Sequence, residues 1–186
     1  MREVEYKFLV SKQDFETIID IAESNFESSS EKLQINYYYD DKDLSLYKQN
    51  VTVRVRQIED ILKLQTKKHF ESNAKYQISE ETEKTIEKLP EAILFNDDNC
   101  IFLSLKGNLI THRKSFKSDD GISLDFDANY YLGVCDFEIE FEFDECNEGK
   151  ANELMNVLGI NRFTLSKGKS TRFFNQLEGR NVYEQI

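Results

Sequence analysis

The sequence predicts an α+β fold in which short antiparallel strands form one sheet and a few helices frame it. In the strand segments, apolar residues alternate with polar residues at period two, which is typical of strands with one apolar face. These segments are residues 4–8, 37–39, 51–55, 62–64, 110–112, 124–126 and 139–143. The chain has one proline and no internal repeat, so one uninterrupted domain over residues 1–186 is expected. Such a sheet either closes on itself or stays open.

The framing helices are predicted from apolar residues at helical spacing. The first helix is expected over residues 11–24, with Ser11 as its N-cap. Its apolar face consists of Phe15, Ile18, Ile19 and Ala22. A second helix is expected over residues 148–159. A shorter helical stretch over residues 85–95 and a helical turn near Leu103 are also predicted.

Charge and hydropathy argue against two classes of partner. The formal net charge of −11 would repel nucleic acids and anionic membranes. No apolar run approaches the roughly 20 residues that span a bilayer, and the N-terminus lacks the apolar region of a signal peptide. We therefore expect a cytoplasmic protein that binds neither nucleic acid nor membrane.

The cysteine and histidine content narrows the metal chemistry. Three cysteines form neither a CxxC pair nor a disulfide framework, which fits a reducing compartment. With only two histidines, a zinc site is not expected. Any metal would be held by carboxylates, which favour hard ions such as Mg²⁺ or Mn²⁺.

The polar positions of the predicted strands are segregated by charge. Residues i and i+2 of a strand point to the same side, about 7 Å apart. Some strands repeat carboxylates on one face, and others repeat Arg or Lys. The acidic rows are Glu3 and Glu5, Glu81 and Glu83, Asp125 and Asp127, and Glu138, Glu140 and Glu142; the basic rows are Arg54 and Arg56, and Lys63 and Lys67.

This segregation has two interpretations. The simpler one is a half-buried sheet with a solvated polar face, in which the charges form ordinary salt bridges. However, like charges on one face are unfavourable unless an opposite charge lies between them. If the sheet curls so that these faces meet, carboxylate rows favour a cation and basic rows favour an anion. A metal bound to a polyphosphate satisfies both requirements.

Several motifs, in a fixed order along the chain, resemble those of one family. They are Glu3-Val4-Glu5-Tyr6-Lys7 (ExExK), Asn36-Tyr37-Tyr38-Tyr39-Asp40 (N-x-Y-F/Y-D), Arg54-Val55-Arg56 (RxR), the lysine-bearing segment 62–67, Glu81-Thr82-Glu83 (ExE), Arg113, Leu124-Asp125, Glu138-Ile139-Glu140 (ExE) and the closing K-x-x-R-F/Y element from Lys169 to Phe174. Together they resemble the CYTH superfamily, also called the triphosphate tunnel metalloenzymes. The resemblance covers roughly residues 1–174 and is strongest to small bacterial members.

The resemblance implies a closed eight-stranded antiparallel β-barrel tunnel flanked by helices, with charged residues lining the lumen. It also implies metal-dependent hydrolysis of a triphosphate: inorganic triphosphate, thiamine triphosphate or a nucleoside triphosphate. Two alternatives stay open, namely a class IV-type adenylyl cyclase and a non-catalytic polyphosphate- or nucleotide-binding module. A homodimer is compatible with the family.

The resemblance also implies a role for each motif residue. Phosphate binding falls to Lys7, Arg54, Arg56, Lys63, Lys67, Arg113, Lys169 and Arg172, with Lys67 matching the strand lysine better than Lys63. Mg²⁺ or Mn²⁺ binding falls to Glu3, Glu5, Glu138 and Glu140, with Glu81, Glu83 and Asp125 as further candidates and Asp127 ranked behind Asp125. Catalytic contributions are expected from Glu5, Lys7, Arg56 and Lys67. The alternative for the glutamates is that they only form salt bridges.

Overall fold

The computed structural model describes residues 3–26, 29–70, 78–97, 99–118, 121–160, 163 and 165–179. These residues form nine strands and four helices, with a short 3₁₀ turn at Glu145–Asn147. The strands are β1 Glu3–Val10, β2 Ser29–Asp40, β3 Val51–Ile58, β4 Ile61–Phe70, β5 Ile78–Ile86, β6 Ala92–Asp97, β7 Asn99–Lys117, β8 Ser123–Tyr131 and β9 Val134–Asp144. The helices are α1 Lys12–Asn25, α2 Ser45–Lys48, α3 Glu148–Val157 and α4 Lys169–Leu177.

All of the described strands belong to one antiparallel sheet. Its order is β1-β9-β8-β7-β2-β3-β4-β5, and β6 pairs with β7 away from this path. Every segment that was predicted as a strand lies in one of these strands, and α1 and α3 match the two main predicted helices. The predicted α+β class with an antiparallel sheet is therefore confirmed.

The prediction of a closed eight-stranded barrel is wrong. The sheet has nine strands, and within the described residues no hydrogen bonds join its two end strands, β1 and β5. The outer edge of β1 already has a partner, because Leu165 forms a bridge with Phe8 and the Ser166 N–H donates to the Lys7 carbonyl at 2.8 Å. The segment before α4 thus covers part of the edge that barrel closure would need.

The sheet nevertheless curls strongly. In a flat sheet, β1 and β4 would lie about 29 Å apart, since six steps of about 4.8 Å separate them. Instead, the charges of Lys7 and Glu5 on β1 act on the Lys67 ammonium on β4. Arg113 on β7 likewise acts on Arg56 on β3. The polar faces of the strands therefore line one concave interior, which we call the lumen.

The outer, apolar face of β1, β8 and β9 is covered by α1 and α3. α1 begins after Ser11, whose hydroxyl accepts the Asp14 N–H at 3.1 Å, so the predicted N-cap is confirmed. The buried core between these elements contains Phe8, Ile18, Ala22, Phe126, Ile139, Phe141, Ala151 and Met155. Among the described helices, none is both long and apolar enough to cross a lipid bilayer.

The outer face of β3 and β4 is covered by the β6–β7 hairpin together with Leu46 of α2. The helix predicted over residues 85–95 is wrong, because this stretch contains the end of β5 and the start of β6. The helical turn predicted near Leu103 is also wrong, because Leu103 lies in β7. Ile93 and Leu103 are strand residues that pack in the same core cluster as Val53, and this tertiary burial outweighs the short helix-like spacing of the apolar residues.

α4 was not predicted as a helix, although its residues were identified as a motif. Phe173 and Phe174 are fully buried and pack against Tyr38, whose ring centroid lies 4.6 Å from that of Phe173. Gly107 makes this contact feasible: a Cβ at this position would lie 3.0 Å from Phe173 Cζ, and its φ of +147° disfavours other residues. Aromatic packing therefore anchors α4 against the lumen side of the sheet.

Asp40, the last residue of the N-x-Y-F/Y-D motif, has a structural role. Its buried carboxylate accepts the backbone N–H groups of Asp41, Leu46 and Tyr47 at 2.8, 3.2 and 2.9 Å. These bonds secure the start of α2 after β2.

Candidate active site

Three buried carboxylates form the centre of an acidic wall on β8 and β9. Asp127 lies directly opposite Glu138 in the β8–β9 register, and Asp125 lies opposite Glu140. Asp127, Glu138 and Glu140 each present an oxygen within 4.8 Å of the others. Asp127 and Glu138 are 0% exposed and Glu140 is 7% exposed, so none of them is a solvated surface charge.

Lys169 contacts all three of these carboxylates. Its Nζ lies 2.7 Å from Asp127 Oδ2 and 2.6 Å from Glu140 Oε1, and it also pairs with Glu138 Oε2. Lys169 is the first residue of α4, so the helix delivers this ammonium into the acidic wall.

Arg113, on β7, donates hydrogen bonds to several carboxylates of the acidic wall. Its Nε donates to Asp127 Oδ1 at 2.6 Å, and its Nη2 donates to Glu140 Oε2 at 2.5 Å. Nη1 donates to Asp125. This guanidinium therefore joins three carboxylates from two strands.

Arg172 anchors α4 to the acidic wall from within. Only 1% of its surface is exposed. Its Nε donates to Asp136 Oδ2 at 2.9 Å, and its Nη1 donates to Glu138 Oε1 at 2.8 Å and to the Lys167 carbonyl at 2.6 Å. Asp136 also accepts bonds from Tyr131 and Asn129, which makes it the centre of a buried polar network.

The ExExK strand lies beside the acidic wall. Lys7 is opposite Glu140 in the β1–β9 register, with its Nζ 3.6 Å from Glu140 Oε1, and it also pairs with Glu5. The Glu5 side chain is 27% exposed and lies outside the group of three close carboxylates. The backbone of Glu3 belongs to β1, but its side chain lies outside the described part of the structure.

A basic wall on β3 and β4 lines another part of the lumen. Arg54 lies opposite Gln65 and Arg56 lies opposite Lys63 in the β3–β4 register. Arg54 Nε donates to Gln65 Oε1 at 2.8 Å, and Arg56 Nε donates to Asn36 Oδ1 at 3.0 Å. Neutral amides thus orient both guanidiniums.

The acidic residues of β5 neutralise the basic wall only in part. Glu81 lies 3.6 Å from Arg54 Nη2 and 3.8 Å from Lys67 Nζ. Glu83 pairs with Lys63 at 2.6 Å and is 46% exposed. Both glutamates are therefore partners of the basic wall and are separate from the acidic wall.

The pKa shifts at the centre of the acidic wall indicate that its carboxylates and cations compensate each other. Burial alone would raise the pKa of Glu140, but Lys169, Lys7 and Arg113 hold it well below its usual value. Burial alone would lower the pKa of Lys169, but the surrounding carboxylates outweigh burial and raise it. Glu140 and Lys169 are thus stabilised by their neighbours of opposite charge, whereas at Asp125 burial outweighs the contact with Arg113 and raises the pKa.

The pKa shifts on the basic wall run in the opposite direction. Burial lowers the pKa of Lys67, and the nearby Lys7 and Arg54 add to the effect against the opposing charge of Glu5. Burial and Arg54 together lower the pKa of Arg56 to about 10. The carboxylates near Arg56 and Lys67 therefore do not offset the combined effect of burial and neighbouring positive charge, and a bound anion would stabilise the charged forms.

Most of the chain matches a known protein family. The family model for the CYTH domain matches residues 1–167. The chain belongs to the CYTH family. A search of curated protein sequences gave no significant match.

Solved CYTH-like structures share this fold. A Bacillus halodurans protein proposed to be an adenylate cyclase is 26% identical, with a TM-score of 0.68 and coverage of 92% of this chain and 97% of that one. HpAC1 from Hippeastrum, described as a proposed adenylyl cyclase with dominant triphosphatase activity, is 19% identical, with a TM-score of 0.69 and 99% coverage of both chains. A conserved Pyrococcus furiosus protein is 17% identical, with a TM-score of 0.62 and coverage of 92% and 99%.

The motif residues of this CYTH protein fall into two groups in space. Glu138, Glu140, Lys7, Arg113, Lys169 and Arg172 meet at the acidic wall, together with Asp125. Arg54, Arg56, Lys63 and Lys67 form the basic wall with Glu81 and Glu83. Their roles in binding and catalysis remain predictions.

Several residues at these walls were not predicted from the sequence or were ranked too low. Asp127, ranked behind Asp125, is the carboxylate that joins Glu138 and Glu140. Asp136 was not considered, although it stands two residues before Glu138 and so shares its face. Asn36 and Gln65 were not assigned functions, and only the strand register shows that they orient arginines.

The acidic wall has donors suitable for the metal that the CYTH family implies. Three carboxylates provide hard oxygen ligands, which suit Mg²⁺ and Mn²⁺. Asp127, Glu138 and Glu140 would hold the ion, and the structure therefore favours Asp127 over Asp125 as the β8 ligand.

Proposed function

We propose that this CYTH protein is a divalent-metal-dependent triphosphatase whose lumen binds the polyphosphate chain between the acidic and basic walls. The observation that carries the proposal is the opposite charge balance of the two walls. The cations of the acidic wall contact buried carboxylates, whereas the four cations of the basic wall share only the partly exposed Glu81 and Glu83 among the described ion pairs.

The basic wall fits a phosphate chain in its spacing as well as its charge. Arg54 and Arg56 project from the same face of β3, and Lys67 lies on the same side of β4. Planar guanidiniums grip phosphate oxygens in pairs, and lysine adds a compact charge. Because Asn36 and Gln65 already fix both arginines, little ordering is required when substrate binds.

The proposed reaction is transfer of the terminal phosphoryl group to water. When bound at the acidic wall, Mg²⁺ or Mn²⁺ would offset charge on the phosphate oxygens. Arg54, Arg56 and Lys67 hold the chain so that water attacks the terminal phosphorus in line. The new P–O bond forms as the bond to the bridging oxygen breaks, and the diphosphate leaves with the electron pair. Positioning and charge compensation are the main demands of this step.

Incubation of the full-length protein with three substrates tests the proposal. Inorganic triphosphate, ATP and thiamine triphosphate are each supplied with Mg²⁺, Mn²⁺ or EDTA, and phosphate, pyrophosphate and cyclic AMP are measured. We expect metal-dependent phosphate release that EDTA abolishes. Production of cyclic AMP from ATP would instead support the adenylyl cyclase alternative. The activity proposed for the Bacillus halodurans protein favours this alternative. Tight triphosphate binding without turnover would indicate a binding module.

The Lys67→Met substitution is expected to weaken triphosphate binding while raising stability. The depressed pKa of Lys67 means that folding disfavours its charged form, so at neutral pH its removal should raise the melting temperature. This unfavourable contribution disappears as the pH rises above the unfolded-state lysine value. Loss of one buried phosphate contact should weaken triphosphate affinity by about tenfold or more.

Isothermal titration calorimetry with inorganic triphosphate and thermal denaturation measure the two effects. Lys68→Met is the matched control, because Lys68 is the exposed next residue of β4. Equal affinities for the two variants would show that Lys67 does not bind phosphate.

A further inference from the structure

The ammonium of Lys169 lies where a cation shared by three carboxylates would lie. These carboxylates also have other partners. Arg113 contacts Asp127 and Glu140, and Arg172 contacts Glu138. Within the described residues, Lys169 is the only cation in contact with all three. Its two longer contacts, 2.7 and 2.6 Å, are ordinary for a charge-assisted hydrogen bond.

A divalent metal bound by the same oxygens would need the same position. Mg²⁺ takes oxygen ligands at about 2.0–2.1 Å. Each of the three residues has a carboxylate oxygen within 4.8 Å of the others, so an ion bound to all three would lie between them, in the space that Nζ occupies. An ammonium and a metal dication cannot share that position, because overlap and like-charge repulsion both exclude it.

Only the end of the Lys169 side chain must move to free this position. Lys169 is the first residue of α4, whereas Arg172, Phe173 and Phe174 hold the helix through buried contacts further along. The lysine stem has four rotatable bonds, so the ammonium can swing out without undocking α4.

We propose that Lys169 occupies the divalent-cation position in the metal-free protein, and that a metal ion binds there only by displacing it. The displaced ammonium is then available for a phosphate oxygen, so metal and triphosphate binding favour each other. This inference rests on the proposed function only in placing the metal at Asp127, Glu138 and Glu140.

Direct Mn²⁺ binding without substrate tests the inference. Isothermal titration calorimetry is performed on the wild type, Lys169→Met, Lys7→Met and Lys167→Met. Because Lys169→Met lacks the competing ammonium, its affinity for Mn²⁺ should exceed that of the wild type by about tenfold or more. Exposed Lys167 stands two residues away and should change affinity little when replaced.

Lys7→Met separates direct competition from a general effect of charge. Lys7 lies 3.6 Å from Glu140 but does not contact all three carboxylates. Its loss should raise Mn²⁺ affinity much less than the loss of Lys169. Equal gains for Lys7→Met and Lys169→Met, or no gain for Lys169→Met, would overturn the inference.

A stability measurement covers the case in which Lys169→Met folds poorly. Lys169→Met leaves three buried carboxylates without this ammonium, so its melting temperature in EDTA should be lower than that of the wild type. Added Mn²⁺ should restore the melting temperature. The Mn²⁺-induced shift should exceed that of the wild type, and Lys169→Gln provides a second, polar variant. A smaller shift in both variants would contradict the inference.

The outcomes for the inference and for the proposed function are distinguishable. Metal-dependent hydrolysis by the wild type, with unchanged Mn²⁺ affinity in Lys169→Met, would refute the competition and leave the triphosphatase. Tight Mn²⁺ binding by Lys169→Met, with no wild-type turnover of any triphosphate, would support the competition and refute the enzyme.

Discussion

Replacing Glu138 and Glu140 together by Gln should reduce metal-dependent triphosphate hydrolysis by about 10³-fold or more. The two side chains supply two of the three clustered carboxylates, and glutamine keeps their size and hydrogen-bonding oxygen while removing their charge. Phosphate release from inorganic triphosphate at saturating Mg²⁺ or Mn²⁺ measures the effect. Far-UV circular dichroism checks that the variant is folded.

The matched control is the double Glu87→Gln and Glu153→Gln variant, which makes the same chemical change at two exposed positions. It should retain activity within about twofold of the wild type, since surface substitutions have small effects. If the Glu138 and Glu140 double variant remained folded and equally active, these glutamates would be salt-bridge partners only.

Replacing Arg172 by Met should lower the free energy of unfolding by about 3–5 kcal/mol at neutral pH. Arg172 is almost fully buried between Asp136 and Glu138, and its loss removes a cation that both buried carboxylates contact. Urea denaturation followed by circular dichroism measures the change. The control is Lys114→Met, which removes a partner of the half-exposed Glu23 and should cost no more than about 1 kcal/mol.

The loss caused by Arg172→Met should depend on pH in a defined direction. Burial would raise the pKa of Glu138, but Lys169 and Arg172 hold it below its usual value of 4.5. A carboxyl with a lowered pKa stabilises the fold above its unfolded-state pKa and loses this contribution as the pH falls through the folded-state value. The difference between Arg172→Met and wild type should therefore shrink below about pH 4.5. A difference that grows on acidification would exclude this ion pair as the cause.

The sequence alone was sufficient to predict which side chains share a strand face. Because successive strand residues alternate sides, Glu138 and Glu140 must point together, as must Arg54 and Arg56. The structure shows both pairs facing the lumen, with Ile139 and Val55 buried on the outer side. The ordered motifs also led to the CYTH family, which the family model confirms.

Only the tertiary structure decided which strand faces meet. Asp125 and Asp127 are equivalent in sequence pattern, but the β8–β9 register and the position of α4 bring Asp127 to Glu138 and Lys169. In the same way, β5 lies beside β4, so Glu81 contacts Lys67 and not the acidic wall. Register depends on partners distant along the chain, which local periodicity does not contain.

Tertiary packing also decided where local patterns were misleading. Ile86, Leu89 and Ile93 have helix-like spacing, but Ile86 and Ile93 are strand residues that pack on the outer face of β3 and β4. The closed barrel was expected from family resemblance, yet Leu165 and Ser166 pair with the edge of β1. Alternation within a strand is a local property of the backbone, so the sequence determined the charged faces. Strand neighbours, edge pairing and the contacts of Lys169 depend on long-range packing, so the folded structure alone determined them.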